Sequence, residues 1–411
     1  MARRTGQNVI PGRYRVRISR YRLRPTVAQE AVLLGHCAHA RYVWNLCVEQ
    51  ESHWRPGRAK MPGFAERCRQ LSQARDAEPW LARGSVIVQQ QAIRDHDQAM
   101  RNFFAGTHRR PSWRKAGRDE GFRIVHFKPG HVRLLNRNAG QVWIPKAGWV
   151  RFRLSRAVPD GAKSFRVVMD RAGRWHVAFA AVPELLAAPG NGEVVGVDRG
   201  VAVSAALSTG EMLSVTRLSW QRRRRLVRLQ RRLARARRGS NRRARVKLAI
   251  ARLKAREADA RKDWCEKLST ILARRFDVIR VEDLQIANMT RSARGTIGQP
   301  GRNVRAKAGL NREIAASGWA LLVRRLVEKA PGRVEKVSPA YTSQRCSACG
   351  HVDAKSRESQ ARFVCTACDL ACNADVNAAR NIAAGHAVTA RGGNGVARPV
   401  NREPQPVLLS T

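Results

Sequence analysis

The sequence predicts a multidomain α+β protein, and three of its features support this fold class. The chain has 411 residues, which is more than one hydrophobic core usually holds, so two or three domains are expected. Helical periodicity dominates residues 26–110, whereas alternating apolar and polar side chains dominate residues 122–182. Strands and basic helices follow one another between residues 194 and 337, so the last part of the chain combines both kinds of element.

The first elements are a strand and a long helical segment. Apolar and arginine side chains alternate through Tyr14–Leu23, which predicts a strand with one bulge. Thr26 and Gln29 have the spacing of a capping box, so a helix is expected to begin there. The helical pattern continues with interruptions across residues 26–110, and Pro111–Gly117 follows as a basic loop.

A β-rich region comes next. Short alternating runs such as VWIP and VRFRL, and a hairpin that turns around Ala172 and Gly173, predict a small barrel or sandwich over residues 122–182. Proline and glycine interrupt the regular pattern in Pro183–Gly192. We therefore expect a linker between the β-rich region and the rest of the chain.

The strongest fold signal lies between residues 194 and 337. Three strands are predicted in succession, at Val194–Asp198, Val203–Leu207 and Glu211–Val215. The elements predicted after them are a basic helical hairpin (Trp220–Leu272), an apolar strand ending at Glu282, a helix (Arg312–Lys329) and a strand (Val334–Val337). This order of elements resembles that of the ribonuclease H-like fold. Residues 386–411 lack periodicity and are expected to be a disordered tail.

The charge of the chain predicts a polyanionic partner. Lys and Arg total 79 against 31 acidic residues, so the formal net charge is +48, far more than solubility requires. Nucleic acid fits best because arginine pairs with phosphate through two donors and stacks on bases, and a membrane surface is the weaker alternative. The sequence shows no signal peptide and no run of eighteen apolar residues. We expect a cytoplasmic protein without a membrane span.

Five of the nine cysteines are clustered near the C-terminal end. Two CxxC pairs, Cys346 with Cys349 and Cys365 with Cys368, are separated by fifteen residues, which is the spacing of a four-cysteine zinc ribbon. Four thiolates leave no open position on the metal, so the predicted zinc is structural. Cys372 is a fifth thiol that could compete for the ion.

Three acidic residues are candidates for a catalytic metal site. Asp198 and Glu282 each end an apolar strand, where an unpaired carboxylate is costly, and Asp375 falls in the first turn of a predicted helix. Taken singly, each acid has an ordinary structural explanation. Together they fit a site for two magnesium ions, because the first and fourth strands of this fold are neighbours and their ends meet. Asp283 points the other way by strand alternation and is excluded.

Several segments carry a resemblance to a known family. They include GVDRGVAVSAALSTGE, VIRVEDLQIANM, SPAYTSQRCSACG and FVCTACDLACNADVNAARNI, which lie in this order between Gly196 and Ile382. In the N-terminal half the similar segments are YRLRPTVAQEAVLLGHCAHARYVWN and the PSWRKAG loop. These segments resemble the transposon-encoded TnpB family, to which the compact type V CRISPR effectors are related, and the resemblance covers nearly the whole chain.

The resemblance implies a domain organisation. A wedge β-barrel is expected at residues 1–25 and 111–190, with a helical recognition domain inserted at residues 26–110. A RuvC-like nuclease domain is expected at residues 191–385. Within the nuclease domain, the resemblance places the basic hairpin at residues 220–272 and the zinc ribbon at residues 341–372.

The resemblance also implies an activity. The family's members are RNA-guided DNA endonucleases, in which a guide RNA selects the sequence and the protein reads a short motif beside a double-stranded DNA target. Its three catalytic acids match Asp198, Glu282 and Asp375. Its zinc ligands match the cysteines at positions 346, 349, 365 and 368. The expected cofactors are therefore two magnesium ions, one zinc ion and a guide RNA.

Two departures from the family pattern and two alternative functions stay open at this point. Asp369 stands where a glycine is usual after the second cysteine pair, and Cys372 stands where a polar residue is common. A cleavage-inactive, RNA-guided DNA-binding module is one alternative, although all three acids are present. A cut-and-paste DNA transposase is the other, and the positions of the zinc ribbon and the arginine-rich hairpin favour the guided nuclease over it.

Overall fold

The computed structural model describes residues 17–53, 61–118, 120–125, 128–181 and 185–385. The predicted tail at residues 386–411, and the first residues of the strand predicted at Tyr14–Leu23, lie outside these ranges. The chain forms two compact units. Unit 1 consists of residues 1–13, 184–218 and 257–411, and unit 2 consists of residues 14–183 and 219–256.

Unit 2 begins with one strand and a group of helices. These are strand β1 (Arg17–Arg24) and helices α1 (Val27–Ser52), α2 (Phe64–Ala77), α3 (Pro79–Ala82) and α4 (Val86–Phe104). The predicted capping box is confirmed, because Gln29 N–H donates to Thr26 Oγ1 and Thr26 N–H donates to Gln29 Oε1. Helices α1 and α4 bury apolar side chains in the same core as the strands of this unit.

The β-rich region of unit 2 forms one antiparallel sheet of seven strands. After β1, its strands are β2 (Gly121–Val125), β3 (Val132–Asn136), β4 (Ala139–Ile144), β5 (Gly148–Arg153), β6 (Ser164–Met169) and β7 (Trp175–Ala181). The strand order is β2-β6-β7-β1-β5-β4-β3, and every neighbouring pair is antiparallel. Helices α1 to α4 are thus inserted in the chain between a central strand of the sheet and its other strands.

Two basic helices follow in the chain. They are α5 (Trp220–Arg235) and α6 (Asn241–Arg275), close to the predicted hairpin limits. Eight of the 16 residues of α5 are arginine, and its buried apolar residues are Leu226 and Leu229. The first part of α6 belongs to unit 2, and the part from Glu257 onward belongs to unit 1.

Unit 1 is built on a mixed sheet of five strands. They are β8 (Val194–Asp198), β9 (Ala205–Leu207), β10 (Met212–Leu213), β11 (Val278–Glu282) and β12 (Val334–Val337). The order is β10-β9-β8-β11-β12. Strands β8, β11 and β12 are parallel to one another, β9 is antiparallel to β8, and β10 is antiparallel to β9. The predicted adjacency of the first and fourth strands is therefore confirmed.

Four helices and a small hairpin complete unit 1. They are α7 (Ile286–Met289), α8 (Val304–Ser317), α9 (Trp319–Lys329), α10 (Ala374–Ala384), and strands β13 (Arg362–Val364) and β14 (Ala371–Asn373). The prediction of one helix at Arg312–Lys329 is wrong, because Gly318 separates α8 from α9 with a φ of 78°. A Cβ at Gly318 would lie 2.9 Å from the Cγ of Arg261, so this left-handed turn sits tightly against α6.

The core of unit 1 lies between its sheet and helices α6 and α9. Val195, Val197, Ile279 and Val281 of the parallel strands are fully buried there with Leu272 of α6. Within the ranges that the structure describes, no helix combines the length and hydropathy needed to cross a membrane.

Candidate active site

Two of the predicted acids end neighbouring parallel strands. Asp198 is the last residue of β8, and Glu282 is the last residue of β11. Val197 pairs with Val281 in the strand register, so the two acids that follow them lie side by side at the carboxyl ends of these strands.

The third acid is brought to the same edge by a helix. Asp375 lies in the first turn of α10, where its N–H donates to the side chain of the N-cap residue Asn373 at 2.9 Å. Helix α10 packs directly on β8 because Gly196 has no side chain: a Cβ there would lie 2.0 Å from the carbonyl oxygen of Ala379. Gly196 thereby permits the close approach that places Asp375 near Asp198.

Electrostatics show that the three acids share one neighbourhood. Burial raises the pKa of Asp198 to about 8, and the nearby carboxylates of Glu282 and then Asp375 add to the rise. Burial also raises the pKa of Asp375. Glu282 is only 9% exposed. Clustered carboxylates with raised pKa values are expected where a bound cation would compensate the charge.

The acids are spread more widely than the ligands of a single small ion. Among the described residues, one set of three or more metal-ligating side chains has all its ligand atoms within 4.8 Å of one another. That set is the four ribbon cysteines, and it does not include the acids. Carboxylate oxygens are hard donors, the kind of ligand that magnesium prefers in proteins.

Two arginines lie beside the acids, and the sequence did not single them out. The Nη2 atom of Arg357 lies 3.7 Å from Asp375 Oδ1, and its charge lowers the pKa of both Asp198 and Asp375 against the effect of burial. Arg199 is 5% exposed and donates through Nη2 to the backbone carbonyl oxygen of Glu282. Arg357 lies outside any periodic pattern, in a loop, so only the fold could reveal its position.

A hydroxyl group fixes the orientation of Glu282. Thr342 is buried, and its Oγ1–H donates to Glu282 Oε1 at 2.6 Å. Asp283 is about half exposed and pairs instead with Lys336 Nζ at 2.7 Å. Asp283 is thus paired with a lysine, as expected for a carboxylate outside the site.

The four predicted zinc ligands converge. The Sγ atoms of Cys346 and Cys368 are 3.7 Å apart, and those of Cys349 and Cys365 are 3.6 Å apart. The backbone N–H of Ala367 donates to the Cys365 sulfur and lowers the pKa of this thiol to about 6. Since zinc binds thiolates, such a group is suited to hold the ion.

The structure resolves both departures from the family pattern. Asp369 adopts the left-handed conformation, with a φ of 55°, which explains why glycine is usual there and shows that the turn forms without it. Cys372 lies on β14 opposite Phe363 and is not part of the group of converging sulfurs. The ribbon therefore offers four cysteines, not five.

Helix α10 links the ribbon to the acids. The side chain of Asn377 accepts from Ser347 N–H at 2.9 Å and donates to the Arg345 carbonyl oxygen at 2.7 Å. Asn381 donates to the carbonyl oxygens of Thr342 and Arg345. The same helix therefore carries Asp375 and holds the segment that positions Thr342 against Glu282.

The fold and the site define a mixed α/β protein with three neighbouring carboxylates at one sheet edge and a four-cysteine ribbon. Three family models match its parts. The matched descriptions are "Cas12f1-like, TNB domain" (residues 319–382), "Probable transposase" (residues 176–293) and "Helix-turn-helix domain" (residues 17–59). The chain belongs to the transposon-encoded, OrfB-type TnpB family, because two relatives are 35% and 30% identical to it over more than nine tenths of its length.

Two of these relatives align over nearly the whole chain. The "Putative RNA-guided DNA endonuclease InsQ" of Escherichia coli (strain K12) is 35% identical over 405 residues, covering 97% of this chain and 99% of the relative. A "Putative RNA-guided DNA endonuclease" of Streptomyces pristinaespiralis is 30% identical over 386 residues, covering 92% and 91%.

The fold is also similar to that of a solved complex. The "Cryo-EM structure of the Cas12f1-sgRNA-target DNA complex" superposes with a TM-score of 0.50 at 14% identity, covering 87% of this chain and 82% of that chain. At this identity the likeness concerns the mixed α/β fold and carries no residue assignment.

Proposed function

We propose that this chain is an RNA-guided DNA endonuclease that cleaves double-stranded DNA by metal-dependent phosphodiester hydrolysis. The observation that carries the proposal is the meeting of Asp198, Glu282 and Asp375 at one edge of the unit 1 sheet. The relatives named as RNA-guided DNA endonucleases align over more than nine tenths of the chain, so they support the same activity for it.

The proposal also divides the chain into domains. Residues 191–385 are the RuvC-like nuclease domain, supported by the strand order β10-β9-β8-β11-β12 and the acids at the ends of β8 and β11. Residues 1–25 and 111–190 form the wedge β-barrel, and residues 26–110 form the recognition domain. This division is supported by the insertion of α1 to α4 between β1 and β2.

In the nuclease domain the three carboxylates would hold two magnesium ions. When bound, the ions supply an activated water and stabilise the leaving oxygen of the phosphodiester. Besides burial, the carboxylates of Glu282 and Asp375 both raise the pKa of Asp198, so Asp198 lies near each of the other two acids. Thr342 keeps Glu282 in one orientation by donating a hydrogen bond to Oε1.

Arg357 supplies a fixed positive charge beside the carboxylates. Its guanidinium lies near Asp375 and acts on Asp198 as well. A guanidinium cannot be deprotonated under ordinary conditions, and it presents several N–H donors to phosphate. We assign to Arg357 the role of holding the scissile phosphate against the carboxylates.

Unit 2 and the basic helices are assigned to nucleic-acid binding. A cleft of about 300 Å³ beside the PSWRKAG loop is lined by Trp44, Trp113, Arg110, Arg114, Lys115 and Arg118. Trp113 is half exposed, and the guanidinium of Arg114 stacks 3.5 Å from the centre of the Trp44 ring. These basic and aromatic groups fit the motif-reading part of the protein, and the arginines of α5 fit an RNA backbone.

Two alternatives make different predictions. A cleavage-inactive RNA-guided binding module would lack a complete set of acids, whereas all three are present and close together. A cut-and-paste transposase is the function suggested by the description "Probable transposase" of one matching model. A transposase would work without RNA, so the presence or absence of bound RNA distinguishes the two.

The decisive experiment is expression of the chain with its native locus, followed by purification and sequencing of the RNA that comes with it. The complex is then given magnesium and a plasmid that matches the guide. We expect a discrete RNA and linearised plasmid, and we expect Asp198→Ala to remove cleavage while target binding persists. Asp283→Ala is the matched control, because it removes a neighbouring acid outside the site and should cleave normally. RNA-free protein that joins DNA ends, or undiminished cleavage by Asp198→Ala, would overturn the assignment.

A further inference from the structure

A short loop joins Asp198 to the next strand of the sheet. We call it the Asp198 loop and define it as residues 199–204, the segment between β8 and β9. Its first backbone N–H, that of Arg199, donates to the Asp198 carboxylate. Glu282, by contrast, is oriented by a side chain, the hydroxyl group of Thr342. The position of the loop backbone therefore decides in which direction Asp198 presents its oxygens.

Groups from distant parts of the chain hold the Asp198 loop in place. The Nε1–H of Trp319, the first residue of α9, donates to the carbonyl oxygen of Gly200 at 3.1 Å. Arg217 Nη2 donates to the next carbonyl oxygen, that of Val201, at 2.8 Å. Two consecutive peptide groups of the loop are thus fixed by donors from outside it.

Both donors lie at the junction between α8 and α9. Arg217 donates to Ser317 Oγ at 3.4 Å and pairs with Glu313, and these two residues are on α8. Gly318, which packs tightly against α6, separates the two helices immediately before Trp319. The Asp198 loop is therefore supported by a closely packed part of unit 1.

An ordinary structural explanation exists for the hydrogen bond of Trp319. The side chain is 4% exposed, and a buried indole N–H usually finds an acceptor. The place of the acceptor gives this bond a further consequence. Gly200 lies two residues after Asp198, in a turn so tight that a Cβ on it would lie 2.7 Å from the carbonyl oxygen of Val203. A displacement of Gly200 would therefore also move the neighbouring N–H that orients Asp198.

We propose that Trp319 is a positioning residue of the nuclease. By holding the Gly200 carbonyl oxygen, it fixes the Asp198 loop and thereby the direction in which Asp198 presents its carboxylate to a divalent cation. The inference rests on the proposed metal site at the three acids. Loss of a hydrogen-bonding group behind a metal ligand typically weakens metal binding or activity about 10- to 100-fold.

The first experiment removes the indole N–H without changing the charge. Trp319→Phe keeps an aromatic ring in the same position. Trp264→Phe is the matched control, because Trp264 packs against the core of the same unit and, within the described ranges, has no hydrogen bond to the loop. Manganese(II) is titrated into the full-length, RNA-free protein with its zinc retained, and the free ion is measured by electron paramagnetic resonance. Asp198→Ala defines the binding that belongs to the site.

We expect Trp319→Phe to bind manganese at the Asp198-dependent site about tenfold more weakly, and Trp264→Phe to change by less than about twofold. In the RNA-bound protein, the magnesium concentration for half-maximal cleavage should rise by a similar factor. The KM for target DNA should stay unchanged. Excess magnesium should restore cleavage, because the three acids are intact.

A second variant disturbs the loop while Trp319 is retained. Gly200→Ala places a Cβ against the backbone of Val203, so the loop must shift. Gly309→Ala is its control, because a Cβ there would meet only the side chain of Arg312, at 3.8 Å. Gly200→Ala should weaken manganese binding as Trp319→Phe does, whereas Gly309→Ala should bind like the parent. This pair keeps the test valid if Trp319→Phe fails to fold.

Metal affinity separates a positioning role from a structural one. A tryptophan that only fills the core would lower the melting temperature of its variant and leave the manganese affinity of the folded protein unchanged. Unchanged affinity in Trp319→Phe, or equal losses in Trp319→Phe and Trp264→Phe, would overturn the proposal. A parent protein without Asp198-dependent manganese binding would remove the metal site and the positioning role with it. Normal manganese binding without cleavage would count against the nuclease activity alone.

Discussion

At Asp198, the charged carboxylate that a cation would bind lowers the stability of the fold when no cation is bound. Its carboxyl group is buried at the strand end with two other carboxylates nearby, so its charged form is unfavourable without a cation. The raised pKa means that the stability it contributes is full below pH 3.8, its ordinary pKa, and is lost as the pH rises through about 8. A neutral side chain of the same shape should avoid this loss.

We therefore expect Asp198→Asn to raise the melting temperature of the chelator-treated protein by about 2–4 °C at pH 8, the shift that about 1 kcal/mol causes in a domain of this size. The gain should be smaller at pH 5, and cleavage should be lost at both. Differential scanning calorimetry with and without magnesium measures these effects. Asp283→Asn, with its exposed ion pair to Lys336, serves as the control and should show no gain. A lower melting temperature for Asp198→Asn at pH 8 would contradict this account.

At the residue scale, the sequence was informative where a side chain conflicted with its local pattern. Asp198 and Glu282 stand out because an acid ends a run of apolar residues, and the cysteine pairs stand out by spacing. No conflict with the local sequence pattern marks Arg357, Thr342 or Arg199. Their roles come from contacts with residues 18 to 83 positions away, which neither periodicity nor spacing records.

Among the elements, the zinc ribbon and α10 are coupled by the buried amides of Asn377 and Asn381. The ribbon has few apolar residues of its own: its small core comprises Phe363 and Ala374 with two of the cysteines. Since so little apolar surface is buried, bound zinc is expected to supply most of the ribbon's stability.

Replacing one ligand should expose this dependence. We expect Cys365→Ser to lose the bound zinc, to melt at a lower temperature and to cleave poorly, because Thr342 and Asp375 are both fixed by the segment that the ribbon and α10 share. Cys372→Ser is the matched control and should retain one zinc per chain, since this sulfur lies outside the group. Zinc content measured by mass spectrometry, together with calorimetry, tests both variants. Zinc retained by Cys365→Ser, or lost by Cys372→Ser, would refute the ligand assignment.

Element boundaries followed from the sequence where local signals were strong. The capping box fixed the start of α1, and the apolar run fixed β8. The break at Gly318 was missed because its cause is tertiary: the turn packs against α6, whose side chains are distant in the chain. The shortening of the second and third strands, to Ala205–Leu207 and Met212–Leu213, likewise depends on pairing within the sheet.

At the scale of the whole molecule, charge dominates. A net charge of +48 makes the free protein repel itself, and the arginines of α5 concentrate that repulsion locally. RNA would neutralise these charges, so the RNA-bound form should be the more stable one. The sequence predicted a polyanionic partner from composition alone.

Salt should therefore affect the free and the RNA-bound protein in opposite directions. We expect the melting temperature of the free protein to rise between about 50 and 300 mM salt, because screening reduces repulsion among like charges. With saturating RNA at low salt, the melting temperature should be higher by about 5 °C or more, and it should fall as salt releases the RNA. Inorganic polyphosphate, which has phosphates but no bases, should stabilise the protein in the same direction and show the share due to charge alone. If both forms respond to salt with the same sign, self-repulsion does not limit the stability of the free chain.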